Sequence, residues 1–97
     1  MTVAPPARLF DAEGKPLELV LYKHDMCGYC RRVMAVVAEL GLPLATRDTL
    51  RQAGARAEAI SLGGRSQVPM LLINGRPMYE SEEIIDYLRH RVRLGAG

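Results

Sequence analysis

Apolar and polar residues alternate with different periods in different stretches of this chain, and the changes of period mark its elements. Leu17 to Lys23 is nearly continuous apolar sequence made of β-forming residues, the pattern of a strand covered on both faces. From Cys30 the spacing changes to three and four. Cys30, Val33, Met34, Val37 and Leu40 form the stripe of an amphipathic helix, with Arg31, Arg32 and Glu39 on the other side. Gly41 and Pro43 end it, and Leu42 to Asp48 reads as a second strand, parallel to the first because a helix joins the two. The alanine-rich run from Arg51 to Leu62 predicts a second helix with Ala53, Ala57 and Ile60 on its inner side, closed by Gly63-Gly64. Val68 to Ile73 and Arg76 to Tyr79 flank Asn74-Gly75, the strongest two-residue hairpin signal, and Pro77 makes the second of these strands an edge. The last helix opens with Ser81 as N-cap and Glu82 and Glu83 in its first turn, and carries a stripe of Ile84, Ile85, Leu88 and Val92. The order β-α-β-α-β-β-α predicts an α/β sandwich, a four-stranded mixed sheet with three helices over its two faces. Residues 1–16 show no sustained period. A mobile N-terminal arm is the expectation there, with a short extra strand at Arg8–Phe10, turning through Glu13-Gly14-Lys15, as the alternative.

Composition narrows the class. The chain has 97 residues, enough for one core. Its 48% hydrophobic and 25% charged residues are a globular balance, and a net charge of +2 gives no bulk reason to expect a nucleic-acid partner. The cations from Arg89 to Arg93 lack interleaved aromatics and suit the C-terminal end of a helix dipole. No apolar run is long enough for a membrane span and no signal-peptide pattern is visible, so a cytoplasmic protein is expected. Two cysteines three residues apart then call for a reason other than a permanent structural disulfide.

That reason is chemical. Cys27-Gly28-Tyr29-Cys30 lies between a buried strand and a strong helix, the context in which C-x-x-C is redox-active. Cys27 falls at the helix N-terminus, where free amides and the dipole favour the thiolate, the reactive form of cysteine. Lys23 and Arg31 add positive charge nearby. Cys30 belongs to the apolar stripe one turn later, so the first cysteine is expected exposed and reactive, the second buried and kept for an internal disulfide. Met26 and Met70 stand beside the motifs as candidate groove residues. A zinc site from His24, Cys27, Cys30 and His90 is disfavoured, because His90 is at the far end of the last helix. Pro69, next to a C-x-x-C helix, is expected to be cis, leaving the backbone of Val68 open to an extended peptide-like substrate.

Residues Leu17 to Val92 resemble a glutaredoxin of the thioredoxin-fold superfamily, through Cys27-Gly-Tyr-Cys30, Val68-Pro69, the Ile73-Asn74-Gly75 turn and Ser81 after an acidic residue. Gln67 to Leu71 and Tyr79 to Tyr87 resemble still more the glutathione-binding N-terminal domain of glutathione transferases. The resemblance implies a thioredoxin-like fold over residues 17–97 and a glutathione-dependent thiol–disulfide oxidoreductase acting on protein–glutathione mixed disulfides and small disulfides. It implies Cys27 as nucleophile and Cys30 as resolving cysteine. Tyr29 flanks the sulfur, and Val68 before cis-Pro69 bonds the cysteinyl part of glutathione. Glu80 and Ser81 hold the γ-glutamyl end, and Lys23 and Gln67 approach the glycine carboxylate, with Arg65 as a substitute for Lys23. Gly28 replaces the usual proline, as in members that hold a [2Fe-2S] cluster between two subunits through the first cysteine and glutathione. A cluster carrier or sensor is therefore the alternative function. The implied partners are glutathione and glutathionylated or disulfide-containing proteins, with a monomer unless a cluster is bound.

Overall fold

The computed structural model describes residues 8–95, in two sheets and three helices. Strands β1 (Arg8–Phe10), β2 (Pro16–Leu17) and β3 (Leu19–Lys23) precede helix α1 (Gly28–Leu40); β4 (Ala45–Asp48), α2 (Ala55–Gly63), β5 (Met70–Ile73), β6 (Arg76–Met78), α3 (Ser81–His90) and β7 (Arg93–Gly95) follow. The main sheet has the order β4-β3-β5-β6, with β3 and β4 parallel and the other pairs antiparallel. This is the expected four-stranded mixed sheet, and Pro77 lies in the expected edge strand, where its missing amide leaves no ladder bond unmade.

Side-chain alternation along β3 and β5 divides the core. Leu19, Leu21 and Leu71 face Val33 and Val37 of α1 and Ile84 and Leu88 of α3. Tyr22 and Met70 point the other way, against Ala59 of α2. Helices α1 and α3 also meet across a bidentate pair, with Arg89 Nη1 and Nη2 at 2.8 and 3.2 Å from the Glu39 carboxylate oxygens. The inner side of α2 differs from the expected one. Ala55 and Ala59 are buried, whereas Ala53, Ala57 and Ile60 are exposed. Four alanines at alternate positions carry almost no amphipathic contrast, so tertiary packing chooses the face. Small side chains there let α2 approach the sheet closely.

Glycine and asparagine set the turns. Gly41 caps α1 at φ 64° and its amide donates to the Ala38 carbonyl, while Asn74 (φ 47°) and Gly75 (φ 85°) form the hairpin turn with two positive φ values. Asn74 does more than turn. Its Oδ1 accepts from the Glu18 amide at 2.7 Å and its amide donates to the Glu18 carbonyl at 2.9 Å. This clasp splits the expected strand from Leu17 to Lys23 in two. Leu17 pairs with Leu9 in a second sheet, and only Leu19 onward joins the first. The second expected strand is likewise shorter than Leu42 to Asp48, since Pro43 has no amide to contribute and pairing starts at Ala45.

The second sheet has the order β2-β1-β7. Its β1 is Arg8–Phe10, the short strand given as the alternative to an arm, and the turn that follows is held by Asp11, whose Oδ1 accepts the amides of Glu13 and Lys15. Residues 1–7 of that arm lie outside the described residues. The strand β7 has no signal in the sequence: Arg89, His90 and Arg91 close α3 as exposed cations, as expected, and Arg93 alone of the cations enters the strand. Val92 is buried here, turning the chain so that Arg93, Leu94 and Gly95 pair with Phe10, Leu9 and Arg8. Gly95 packs under the Phe10 ring, which a Cβ at that position would displace.

Tyr22 joins the α2 side of the sheet through a polar triad. Its hydroxyl donates to Glu58, whose two oxygens lie 3.1 and 3.3 Å from Nε and Nη2 of Arg47. Burial first, and then the Glu58 carboxylate, push the Tyr22 hydroxyl up from 10.0 to about 12. A group whose pKa is raised on folding stabilises fully below its unfolded value and loses that contribution as pH rises towards the folded one. Stability to urea is therefore expected to fall between pH 10.0 and about 12. Tyr22→Phe should reduce this slope while costing about 1 kcal/mol at neutral pH, measured by urea unfolding across that range.

Candidate functional site

The end of β3, the start of α1, the strand entering at Pro69 and the start of α3 converge where the two central strands of the main sheet end. Cys27 is the N-cap residue of α1, in extended conformation (φ −97°, ψ 119°). Its sulfur takes the position of the usual cap oxygen and accepts the Cys30 amide at 3.2 Å. The space beside Gly28 in this first turn is open, with nothing within 4 Å of where a Cβ would lie. The Cys27 sulfur also lies 3.9 Å from the Val68 carbonyl oxygen, which brings the two sequence motifs together. The Val68–Pro69 peptide bond is cis, as expected.

The cysteines differ in the expected way. Cys27 is half-buried, whereas Cys30 is buried in the α1 stripe. Burial pushes the Cys30 thiol up to about 12, helped by the neighbouring Cys27 and opposed by the His24 backbone and the Lys23 charge. Cys30 therefore stays protonated at neutral pH unless a disulfide exchange draws it out.

A groove of about 320 Å³ runs beside the thiol, lined by Tyr29, Gln67, Val68, Pro69, Tyr79, Glu80, Ser81 and Glu82. Six of these are the site residues expected from the sequence; Tyr79 and Glu82 carry no site role there. Tyr79 follows β6, and its place on the wall depends on α2: a side chain at position 63 would overlap the Tyr79 hydroxyl, so Gly63 lets the ring lie down. Arg65 stacks on the outer face of that ring, 4.5 Å from its centroid, and its Nη1 lies 3.4 Å from Gln67 Oε1. Glu82 is ion-paired with Arg32 of α1.

The α3 terminus is shifted by one residue from the expected cap. Glu80 is the N-cap residue, extended at φ −71° and ψ 127° with no side-chain cap bond, and Ser81 is the first helical residue. The hairpin runs extended through Glu80 and only then coils, so the first intrahelical bond is from the Ile84 amide to the Glu80 carbonyl. The leading amides of α3 are left without helical acceptors, as is general for a helix start. Such an end suits an anion.

Lys23 is not on the groove wall. Its Nζ lies 2.9 Å from Asp25 Oδ1 and 3.5 Å from Asp48 Oδ2. The Asp25 hydrogen bond holds its ammonium above the ordinary lysine value, and Lys23 holds the Asp25 carboxyl below the usual carboxylate range. Arg31 Nη1 lies 3.4 Å from the Asp25 carbonyl oxygen. Met70 is fully buried against α2 and so does not line the groove, while Met26 is 80% exposed beside Cys27. Among the described residues, no three His, Cys, Asp or Glu side chains are grouped to hold a metal ion.

Solved structures with this fold include buckwheat glutaredoxin in complex with glutathione (24% identity, TM-score 0.60, covering 75% of this chain and 69% of that one). They also include glutaredoxin grx-1 of Archaeoglobus fulgidus (18%, 0.61, 74% and 86%) and glutathione transferase Omega 3C of Trametes versicolor (23%, 0.63, 74% and 32%). The chain thus spans about a third of that transferase. The fold is thioredoxin-like. No curated protein matches the chain. The family model for the glutathione S-transferase N-terminal domain matches residues 21–94, which takes in both cysteines, Pro69 and the start of α3. Over most of its length, then, this chain belongs to the family of glutathione S-transferase N-terminal domains.

Proposed function

We propose that this protein is a glutathione-dependent thiol–disulfide oxidoreductase that removes glutathione from mixed disulfides and reduces small disulfides. The observation that carries the reading is the position of the Cys27 sulfur. It accepts an amide at the start of α1 and sits 3.9 Å from the Val68 carbonyl, at the border of a groove of tripeptide size.

In this reading glutathione lies along the groove. Its γ-glutamyl carboxylate meets the leading amides of α3 and the Ser81 hydroxyl, and its ammonium pairs with Glu80. The backbone of Val68 pairs with the cysteinyl residue as a further strand would. Gln67 reaches the glycine carboxylate, and the Tyr29 ring, 66% exposed, borders the reacting sulfurs.

Each step is a disulfide exchange with conserved electrons. The Cys27 thiolate attacks the glutathionyl sulfur of the mixed disulfide, the new S–S bond forms as the old one breaks, and the partner protein leaves as a thiolate that takes a proton. A second glutathione thiolate then attacks the glutathionyl sulfur on Cys27, giving glutathione disulfide and the free Cys27 thiolate. Alternatively Cys30 gives up its proton and attacks Cys27, releasing glutathione and closing an internal disulfide. Two glutathione molecules then reopen it.

Turnover is measured with glutathione, glutathione reductase and a small glutathione mixed disulfide. Cys27→Ser is expected to fall to the uncatalysed background, because nothing else in the groove supplies the nucleophile; full turnover in this variant would sink the proposal. Cys30→Ser should keep turnover of the mixed disulfide and lose direct reduction of protein disulfides. Ser81→Ala and Glu80→Gln each remove a hydrogen bond to a charged group, which corresponds to a rise in KM of about ten- to a hundredfold with kcat little changed.

A further inference from the structure

Asp48 is the one charged side chain buried among the described residues, and none of the exchange steps uses it. A buried carboxylate persists only when its charge is met by partners. Asp48 ends β4 directly opposite Lys23 at the end of β3. Its Oδ1 accepts the amides of Leu50 and Arg51, both at 2.9 Å, leaving Oδ2 for the Lys23 ammonium at 3.5 Å. Burial pushes the Asp48 carboxyl up, but the two amides and Lys23 outweigh it and leave the carboxyl below its ordinary value.

The same ammonium holds Asp25, two residues before Cys27, at 2.9 Å. Asp25 is also 3.6 Å from Arg51 Nη2. The backbone of this turn is held less firmly, by two long bonds of 3.4 Å, from the Cys27 amide to the His24 carbonyl and from Arg31 Nη1 to the Asp25 carbonyl. The Lys23 side chain is only 15% exposed and faces two carboxylates, so little of its ammonium is open to a ligand.

We infer that Asp48 and Lys23 are positioning residues for the reactive sulfur. Asp48 holds the ammonium, the ammonium holds Asp25, and Asp25 fixes the turn from which Cys27 enters α1. Lys23 accordingly grips the loop and not the glutathione glycine carboxylate. The inference rests on the proposed reaction for its kinetic test but not for its chemical one.

The kinetic test compares Asp48→Asn, Lys23→Met and Asp25→Asn in the full chain on a small glutathione mixed disulfide. Misplacing a nucleophile by a fraction of an ångström lowers kcat, here by about ten- to a hundredfold, with KM within about twofold. The double variant Asp48→Asn/Lys23→Met should be no slower than its worse parent, because both act through one chain of contacts. A raised KM with unchanged kcat in Lys23→Met would mean that Lys23 binds the ligand, and would overturn the inference. So would variants that lose thermal stability but keep kcat per folded molecule. If Asp48→Asn fails to fold, Asp25→Asn decides, since that side chain is half exposed.

The chemical test is alkylation of Cys27 by iodoacetamide at neutral pH in a Cys30→Ser background. Removing a negative charge near a thiolate would by itself speed alkylation. Loss of the sulfur's place at the Cys30 amide would slow it. Slower alkylation in Asp25→Asn and Asp48→Asn supports positioning, and equal or faster alkylation overturns it. Absence of turnover in the wild-type protein would defeat the proposed reaction while leaving this second test standing.

Discussion

The bond from the Cys30 amide to the Cys27 sulfur is the constraint around which the rest is arranged. A cap normally uses a hard oxygen from Ser, Thr, Asp or Asn. Here a larger, softer atom fills the position, and in the proposed reaction the same atom is also the nucleophile. The strand β3 has to stop at Lys23, the turn through Met26 has to hold one shape, and α1 has to begin at Gly28 for the sulfur to meet that amide. The hydrophobic face of α1 then fixes the helix on the sheet, with Val33 fully buried against it. The Val68 carbonyl comes within reach only because β5 pairs antiparallel to β3 in a register that sets Met70 opposite Tyr22.

The groove is assembled from parts with little local connection. Tyr29 comes from α1, Gln67 to Pro69 from the approach to β5, and Tyr79 to Glu82 from the join of β6 and α3. Cross-element pairs keep these parts in register. Arg32 of α1 reaches Glu82 of α3, Arg89 of α3 reaches Glu39 of α1, and the Arg65 plane covers the Tyr79 ring. Most of these pairs are exposed and each is worth little in isolation. Their effect is to narrow the relative placement of elements that the apolar core already brings together.

The sequence shows the main sheet and the thiol pair well, because their signals are local. Periodicity from Cys30 to Leu40, the Asn74-Gly75 turn and the C-x-x-C spacing each act within a few residues. The buried face of α2 was not readable, since alternating alanines look alike from every side and only the sheet decides between them. Part of the second sheet was readable, since Arg8–Phe10 turning through Glu13-Gly14-Lys15 is the alternative the sequence offers to an arm, and β1 pairs with β2 there. Strand β7 was not, because its three residues pair with β1 only once the chain has turned back after the buried Val92. At the site, Asp48 looked like an ordinary end of a strand. Its importance emerges from the parallel register that sets it against Lys23, and register between parallel strands leaves no mark in either segment alone. The cap of α3 moved from Ser81 to Glu80 for a related reason, as the hairpin and not the cap preference decides where coiling begins.

Pairing of β1 with β7 joins opposite ends of the described chain, with Arg8 beside Gly95 and Phe10 beside Arg93. The polypeptide is thereby drawn into a ring whose clasp is distant from the reactive sulfur in sequence and lies on a different sheet. Closing so large a ring costs chain entropy that no neighbouring contact can offset beforehand. Leu9 and Val92 place the clasp in the same core cluster as Val33 of α1 and Ile84 of α3, so the two ends are fastened to the layer of helices as well as to each other.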